Sequence, residues 1–314
     1  YCDHPAYKPI RHLLIDPEIT EIMINGPEQI FVERKGKMEM LDVAFGDARQ
    51  LSFMIERMLE PTGRSISAAS PFADLRLPDG SRVNVTIPPI ALDGATVTIR
   101  KFTQSLASVA DLVAAGTLSE RMAQLLCAAV EGRVNIVFSG ATGTGKTTTL
   151  GILSNYIPAS ERIITIEDTA ELQLQQSNVV RMECRHANQE GSGEVDLSQL
   201  VRNALRMRPT RILVGEVRGA EALDMLQAIL TGHEGCLAVL HASAPADAVS
   251  RLEMMSLSRG LQLPLWSIRN QIASAIDLIV QHELRPDGSR KVTHITEVCG
   301  VEGERIVLRD LFEY

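Results

Sequence analysis

The sequence predicts an α/β protein in which a smaller α+β domain precedes a larger domain built on a mostly parallel β-sheet. Two observations predict the larger domain. From about residue 119 onward, β-branched apolar runs alternate with helical stretches, which is typical of a parallel sheet covered on both faces. A glycine-rich turn that ends in Gly145, Lys146 and Thr147 follows the first of these runs. In the smaller domain, short alternating strands and one amphipathic helix favour antiparallel pairing.

The first domain is predicted over residues 1–102. One helix is predicted at residues 48–59, because apolar residues recur there at helical spacing. Short apolar runs bounded by Gly, Pro, Asn and Asp predict the strands. We place these strands at residues 19–25, 30–34, 72–77, 82–87 and 95–100.

Residues 103–118 are predicted as a linker with a short helix at residues 109–114, and residues 119–314 as the second domain. A hairpin at the sheet edge is predicted over residues 278–298. The remaining strands are predicted at residues 134–138, 162–167, 179–184, 211–216 and 236–241. The remaining helices are predicted at residues 119–130, 147–157, 196–205, 220–230 and 246–257.

The run GATGTGKT at residues 140–147 matches G-x-x-x-x-G-K-[ST], the phosphate-binding P-loop. Its glycines let several backbone N–H groups point at one anion, and the helix that follows adds its positive N-terminal end. Lys146 can reach the β- and γ-phosphates, and the Thr147 hydroxyl can ligate Mg²⁺. A nucleoside triphosphate is therefore the expected ligand. The predicted nucleotide-binding residues of this region are Gly140, Ala141, Thr142, Gly143, Thr144, Gly145, Lys146, Thr147 and Thr148.

Two apolar strands end in carboxylates, which is the pattern that places an acid beside Mg²⁺ or the attacking water. The strand at residues 163–166 runs into Glu167 and Asp168, and the strand at residues 212–215 runs into Glu216. Burial raises the pKa of a carboxylate, so that it accepts a proton from water more readily. Glu167 and Glu216 are the main candidates, with Asp168 and Glu171 beside them. The alternative for each is a solvated acid in a loop.

His241 lies at the carboxyl end of the strand predicted at residues 236–241, near the expected position of a γ-phosphate. The alternative is a hydrogen-bonded structural histidine. Arg82 and Arg100, on strands of the first domain, can supply positive charge to a phosphoryl transition state, and exposed salt bridges are their alternative. Phe102 is a candidate for an adenine contact.

The composition bounds the partners. The net charge of −8 and the aromatic content of 4% argue against direct binding of nucleic acid. No apolar run approaches the ~20 residues that cross a bilayer. The five cysteines form no C-x-x-C pair, so no zinc site is predicted, and their scatter fits a reducing compartment. The sequence starts without Met, which suggests a fragment.

Several motifs together resemble those of type II/type IV secretion ATPases. ITIEDTAEL at residues 164–172 resembles their Asp box, and LRMRP at 205–209 with VGEVR at 214–218 resembles their Walker B region. TGH at residues 231–233 with LHA at 240–242 resembles their His box. Residues 166–174 and 201–209 are most similar to the tight-adherence (Flp/Tad) pilus branch, which includes CpaF.

The resemblance implies a hexameric motor with an N-terminal regulatory domain and a C-terminal RecA-like ATPase domain. It implies ATP and Mg²⁺ as cofactors, Glu167 as general base and Glu216 as the residue that holds Mg²⁺ or its water shell. It also implies that His241 senses the γ-phosphate, and that Arg82 and Arg100 couple it to domain closure. Members work at the cytoplasmic face of the inner membrane, on a platform membrane protein, in pilus assembly or secretion.

Three alternatives to a pilus-assembly motor stay open. A conjugative type IV secretion ATPase shares the motifs. A RecA-like translocase predicts strong stimulation of ATP hydrolysis by DNA, which the acidic composition argues against. A nucleotide sensor that does not hydrolyse ATP predicts binding without turnover, and the two strand-end carboxylates argue against it.

Overall fold

The computed structural model describes residues 1–34, 36–62, 65–101, 106–185, 192–260 and 263–314. The chain divides into two compact units, Tyr1–Ser105 and Leu106–Tyr314. Phe102 and the first residues of the predicted linker lie outside the described residues. The domain limits 1–102, 103–118 and 119–314 stay a prediction. No helix of the described residues is long and apolar enough to cross a membrane.

The described strands of the first unit form one antiparallel sheet in the order β3-β2-β1-β6-β5-β4. Its strands are β1 (Ile19–Asn25), β2 (Gln29–Arg34), β3 (Lys37–Leu41), β4 (Phe72–Arg76), β5 (Arg82–Thr86) and β6 (Thr96–Arg100). Its helices are α1 (Arg11–Ile15) and α2 (Ala48–Leu59), with short 3₁₀ turns at Pro5–Tyr7 and Glu60–Thr62.

One face of this sheet packs on α1 and α2 to form the core of the first unit. Leu51, Met54 and Ile55 of α2 are buried in the same cluster as inward-facing residues of the strands, such as Ile22 and Val85. Alternation along each strand leaves the opposite residues in contact with solvent. In β3 polar residues alternate with Met38 and Met40, but both methionines are exposed, and this strand was not predicted from the sequence.

The second unit contains a larger sheet, and its described strands lie in the order β14-β13-β12-β7-β11-β10-β8-β9. Strands β12, β7, β11, β10, β8 and β9 are parallel, and β13 and β14 add antiparallel hairpins at one edge. The α/β prediction is confirmed. The strands are β7 (Ile136–Gly140), β8 (Ile163–Glu167), β9 (Val179–Glu183), β10 (Arg211–Val217), β11 (Leu237–Leu240), β12 (Leu278–Leu284), β13 (Arg290–Glu302) and β14 (Arg305–Glu313).

Helices cover both faces of this sheet, so the central strands are apolar on both sides. Helices α3, α4 and α5 pack on one face, and α6 to α9 pack on the other. Helix α9 and strand β14 were not predicted from the sequence, although Ile268 and Ile272 of α9 recur at helical spacing. The helices are α3 (Val109–Ala114), α4 (Glu120–Glu131), α5 (Lys146–Ser154), α6 (Leu197–Ala204), α7 (Glu221–Leu230), α8 (Pro245–Leu257) and α9 (Leu265–Ala275), with a 3₁₀ turn at Leu205–Met207.

Arg211 is the first residue of β10 and lies at the end of the large sheet where its parallel strands begin. Its side chain is fully buried, and its Nε lies 2.9 Å from Glu161 Oε2. The same guanidinium donates to the Val130 carbonyl at 2.7 Å and to the Gly235 carbonyl at 3.3 Å. Because the donors of a buried cation must be satisfied, these contacts tie the end of α4 and the segment before β11 to β10.

We predict that Glu161→Ala destabilises the second unit by about 3 kcal/mol, because it leaves a buried, uncompensated charge on Arg211. The measurement is urea unfolding followed by circular dichroism. Arg309→Ala is the control, since Arg309 pairs with Glu297 at the surface and its loss costs about 1 kcal/mol or less. Equal shifts in the two variants would contradict the prediction.

Candidate functional site

The predicted P-loop connects the end of β7 to the start of α5, as expected. Gly140 and Gly145 adopt φ angles of +150° and +93°, which non-glycine residues rarely adopt. A Cβ atom added at Gly140 would lie 2.5 Å from the His282 carbonyl oxygen and 2.8 Å from Thr144 Oγ1. The Thr144 hydroxyl is buried and donates to the Ala141 carbonyl at 2.8 Å. Only glycine therefore fits where this turn begins.

The ammonium group of Lys146 lies inside the turn. Its Nζ donates to the carbonyl oxygens of Gly140 at 2.9 Å and Ala141 at 2.6 Å. The third neighbour is His241 Nδ1, 3.4 Å away. Burial lowers the pKa of Lys146 to about 8, and the charge of Glu216 opposes that shift. The lysine is therefore a partly desolvated cation held inside the turn.

His241 connects Lys146 to Glu216. Its Nε2 lies 2.9 Å from Glu216 Oε1. Because an ammonium group can only donate, Nδ1 accepts from Lys146, and Nε2 carries the hydrogen that is donated to Glu216. Burial, together with the charge of Lys146, lowers the pKa of His241, while Glu216 raises it. The imidazole is therefore neutral near pH 7 and acts as a hydrogen-bond relay between a cation and an anion.

Arg218 holds the other oxygen of Glu216. Its Nη2 lies 2.6 Å from Glu216 Oε2, and its Nη1 lies 3.2 Å from Asp168 Oδ2. Burial opposes ionisation of Glu216, but Arg218, His241 and Lys146 outweigh it and lower the pKa of the carboxyl. Glu216 is therefore an anion at neutral pH. Ion pairs and hydrogen bonds therefore connect the ends of β8, β10 and β11 to Lys146 of the P-loop.

Glu167 is buried at the end of β8, and Glu171 and Leu172 donate their N–H groups to its Oε2 at 2.6 and 3.0 Å. Its Oε1 is buried and has no hydrogen-bond partner among the described residues. Burial raises the pKa of Glu167, although these two N–H groups lower it. A Cβ atom on Gly215 would lie 2.7 Å from Glu167 Cγ, so glycine in β10 makes room for this carboxylate.

The structure brings Lys146, His241 and Glu216 into direct contact. Within the described part of the chain, Glu167 makes no hydrogen bond or ion pair with any of those three. Thr147 and Thr148 lie in the first turn of α5, and Ala141 and Thr142 are exposed in the loop before it. Their roles, and that of Gly143, stay predictions.

Arg82 and Arg100 belong to the first unit and lie directly opposite each other on β5 and β6. Both side chains lie on the sheet face opposite the core. Arg100 Nε is 3.8 Å from Glu21 Oε1. Their predicted role at the phosphates stays a prediction.

Sequence reasoning missed three residues that contact this site. Arg290 of β13 donates its Nε to the Gly143 carbonyl at 2.8 Å, and Gln281 of β12 donates to the Ala242 carbonyl at 3.2 Å. The third is His282, which is fully buried and pairs with Gly140 across β12 and β7. The polar residues Gln281 and His282, which directly follow the apolar run Leu278–Val280, were a visible signal. The sequence did not show that this strand lies beside β7.

The residues of this site suit a triphosphate and Mg²⁺. The glycine turn offers backbone N–H groups at a helix N-terminus, and Lys146 offers a cation for phosphate oxygens. The Thr147 hydroxyl and the Glu216 carboxylate are hard oxygen ligands of the kind that Mg²⁺ prefers. Among the described residues, no group of three or more His, Cys, Asp or Glu could hold a metal. Mg²⁺ usually keeps several waters and binds through one or two protein oxygens together with phosphate oxygens, so Thr147 and Glu216 would suffice on the protein side.

A family model described as "Type II/IV secretion system protein" matches residues 4–303. The chain belongs to this family. A putative conjugal transfer protein of Mycobacterium tuberculosis (strain H37Rv) is 33% identical over 290 residues, which cover 90% of this chain and 82% of that protein. The conjugal transfer protein TrbB of Rhizobium radiobacter is 33% identical over 296 residues, covering 93% and 86% of the two chains. The resemblance to the secretion family is confirmed.

A solved structure agrees with this assignment. The VirB11 ATPase from the Brucella suis type IV secretion system, in complex with sulphate, is 30% identical, covers 92% of both chains and has a TM-score of 0.51. The two relatives and this structure carry conjugal-transfer or type IV secretion names.

We predict that buried His282 makes the stability of the second unit depend on pH. Burial and the charge of Lys146 lower the pKa of His282 to about 3, so the unfolded chain binds a proton below pH 6.5 and the folded chain does not. Stability contributed by this residue is therefore present above pH 6.5. It is lost as the pH falls, by up to about 1.4 kcal/mol per pH unit.

The measurement compares unfolding of the parent protein and His282→Gln at pH 7, 6 and 5. The variant loses less stability than the parent as the pH falls, because its side chain does not titrate. Parallel pH profiles for the two proteins would contradict the prediction.

Proposed function

We propose that this protein is an ATP-hydrolysing motor of a type IV secretion apparatus of the conjugal-transfer kind. The observation that carries the proposal is the chain of contacts from Lys146 through His241 to Glu216, at the strand ends beside the P-loop. Such a chain links a phosphate-binding cation to an acid that can hold a metal. The names of the conjugal-transfer relatives and of the VirB11 structure support the biological setting.

Each site residue has one proposed task. Lys146 binds the terminal phosphates as a desolvated cation, which strengthens its attraction to an anion. Thr147 and Glu216 hold Mg²⁺, which neutralises charge on the phosphate oxygens when bound. His241 contacts both Lys146 and Glu216, so it is placed to sense a change at either one. Arg82 and Arg100 are proposed to supply further positive charge in the assembled motor.

Glu167 is proposed as the general base. Its Oε2 is occupied by two backbone N–H groups, which fixes the carboxylate in one orientation. Its Oε1 has no partner among the described residues and is the oxygen that would accept the proton of the attacking water. Its raised pKa brings the carboxyl closer to the operating pH of a base.

The assembly is part of the proposal. We propose a homo-hexamer at the cytoplasmic face of the inner membrane, acting on a membrane platform protein. The acidic composition supports a protein partner rather than direct contact with nucleic acid.

A second candidate function is assembly of a tight-adherence pilus. The observation that favours it is the similarity of residues 166–174 and 201–209 to that branch. The chemistry at the nucleotide is the same in both candidates, so only the apparatus that the motor drives distinguishes them.

We predict that Glu167→Gln lowers ATP turnover by about 10²–10⁴-fold and leaves the affinity for ATP within about twofold. The amide keeps the shape of the side chain but cannot take a proton. Lys146→Ala is the comparison that loses binding, by about 100-fold or ~2.7 kcal/mol. The measurements are steady-state hydrolysis and equilibrium titration with ATP.

Two results would identify other functions. If Glu171→Gln stops turnover and Glu167→Gln does not, the base is assigned to the wrong acid. If the parent protein binds ATP but turns it over no faster than Glu167→Gln, the protein is a nucleotide sensor.

We predict that a Lys146→Ala allele in the source organism abolishes conjugal DNA transfer and leaves surface pili of the tight-adherence type unchanged. The measurements are transfer frequency and pilus counts by electron microscopy, with Lys37→Ala as the control for an exposed lysine. Loss of pili with normal transfer would favour the second candidate. Strong acceleration of hydrolysis by added DNA would instead indicate a translocase.

A further inference from the structure

Strand β12 carries two buried polar side chains, Gln281 and His282, where it passes the P-loop. It runs parallel to β7, with Gln281 in register with Ser139 and His282 with Gly140. On its other side, the pairing of β12 with β13 shifts by one residue between Gln281 and His282. Such a bulge changes the direction of side chains and is frequent beside functional sites.

The amide of Gln281 reaches across β7 to the segment that follows β11. Its Nε2 donates to the carbonyl of Ala242 at 3.2 Å and, at the longer distance of 3.5 Å, to the carbonyl of His282. Ser139 is in register with both Gln281 and Leu240, so its small side chain lies between them and leaves room for the longer one. Gln281 therefore holds the peptide group between Ala242 and Ser243, one residue beyond His241.

Burying the amide of Gln281 has a cost in folding free energy. Gln281 Oε1 is buried and has no hydrogen-bond partner among the described residues. An unsatisfied buried acceptor costs about 1–3 kcal/mol, which an apolar side chain of the same size would avoid. The donor half of the amide makes the contacts, and the shorter of them, to the Ala242 carbonyl, lies one residue beyond His241.

We propose that Gln281 is a positioning residue that fixes His241 between Lys146 and Glu216. The ring of His241 must keep Nδ1 toward Lys146 and Nε2 toward Glu216, and both distances depend on the backbone at residues 241 and 242. Holding the Ala242 carbonyl restricts that backbone. The catalytic part of this inference rests on the proposed ATP hydrolysis.

The test replaces Gln281 with Met, which has similar length and no donor. Gln281→Met lowers kcat about tenfold, because small displacements at a catalytic site have large effects on rate. The affinity for ATP stays within about twofold, since the P-loop and Lys146 are unchanged. Gln281→Asn, which keeps the amide on a shorter side chain, shows the same loss and guards against a folding defect specific to Met.

A double-mutant cycle with His241→Ala separates positioning from general destabilisation. If Gln281 acts through His241, Gln281→Met causes no further loss of kcat in the His241→Ala background. Thr296→Val is the matched control, because Thr296 is buried in the same sheet and donates its hydroxyl to Asp310, away from the site. Additive losses in the cycle, an equal loss in Thr296→Val, or no loss in Gln281→Met would each overturn the inference.

A spectroscopic measurement tests the positioning without turnover. In ¹⁵N-histidine NMR spectra, the resonances of His241 are those that disappear in His241→Ala. In the parent protein they report a ring protonated at Nε2. Gln281→Met shifts them toward a mixture of the two tautomers, and unchanged resonances would overturn the inference. If the parent protein hydrolyses no ATP, the proposed function fails and this measurement still decides the role of Gln281.

Discussion

The site depends on a single requirement, which is that the buried ammonium group of Lys146 must be satisfied at the end of a β-strand. Two carbonyls of the glycine turn and the imidazole of His241 meet that requirement. The turn can offer those carbonyls only because glycine starts and ends it. The imidazole can accept only because burial and the lysine charge keep it neutral, and that fixes its second nitrogen as a donor to Glu216. One desolvated cation therefore sets the tautomer, the charge state and the order of the groups around it.

The sheet supplies the rest of the geometry. Parallel strands end at one edge, so β7, β11, β10 and β8 deliver the P-loop, His241, Glu216 and Glu167 to the same side of the unit. Behind this row, β12 and β13 contribute Gln281, His282 and Arg290, which contact the backbone of the turn or of the segment after His241. At the other end of the strands, Arg211 pairs with Glu161 and connects the end of α4 to β10. The proposed chemistry therefore depends on the residues at the strand ends and on the residues of β12 and β13 that contact the backbone beside them.

Membership of a family and the task of a member are decided by different features. A P-loop and strand-end acids suit phosphoryl transfer in general, so these residues support the proposed chemistry and leave the apparatus open. The proposal of a conjugal-transfer motor rather than a pilus motor is supported by the names of the relatives. In the proposed function, the distinction depends on the surface that contacts the membrane partner, which the sequence analysis did not locate.

The sequence alone determined the α/β fold, the P-loop and the identity of Lys146, Glu167, Glu216 and His241 as candidates. It could do so because these features are local, since glycine spacing, apolar periodicity and an acid at a strand end are all read within a few residues. Strands β3 and β14 and helix α9 were not predicted, although Met38 and Met40 alternate with polar residues in β3 and Ile268 and Ile272 recur at helical spacing in α9. Only the tertiary structure decided that His241 bridges Lys146 and Glu216 and that Arg218 joins Glu216 to Asp168. It also decided that Gln281 donates to the Ala242 carbonyl and Arg290 to the Gly143 carbonyl. Those contacts follow from the order of strands in the sheet, which places β12 beside β7 although it comes far later in the chain, and the packing of the whole unit sets that order.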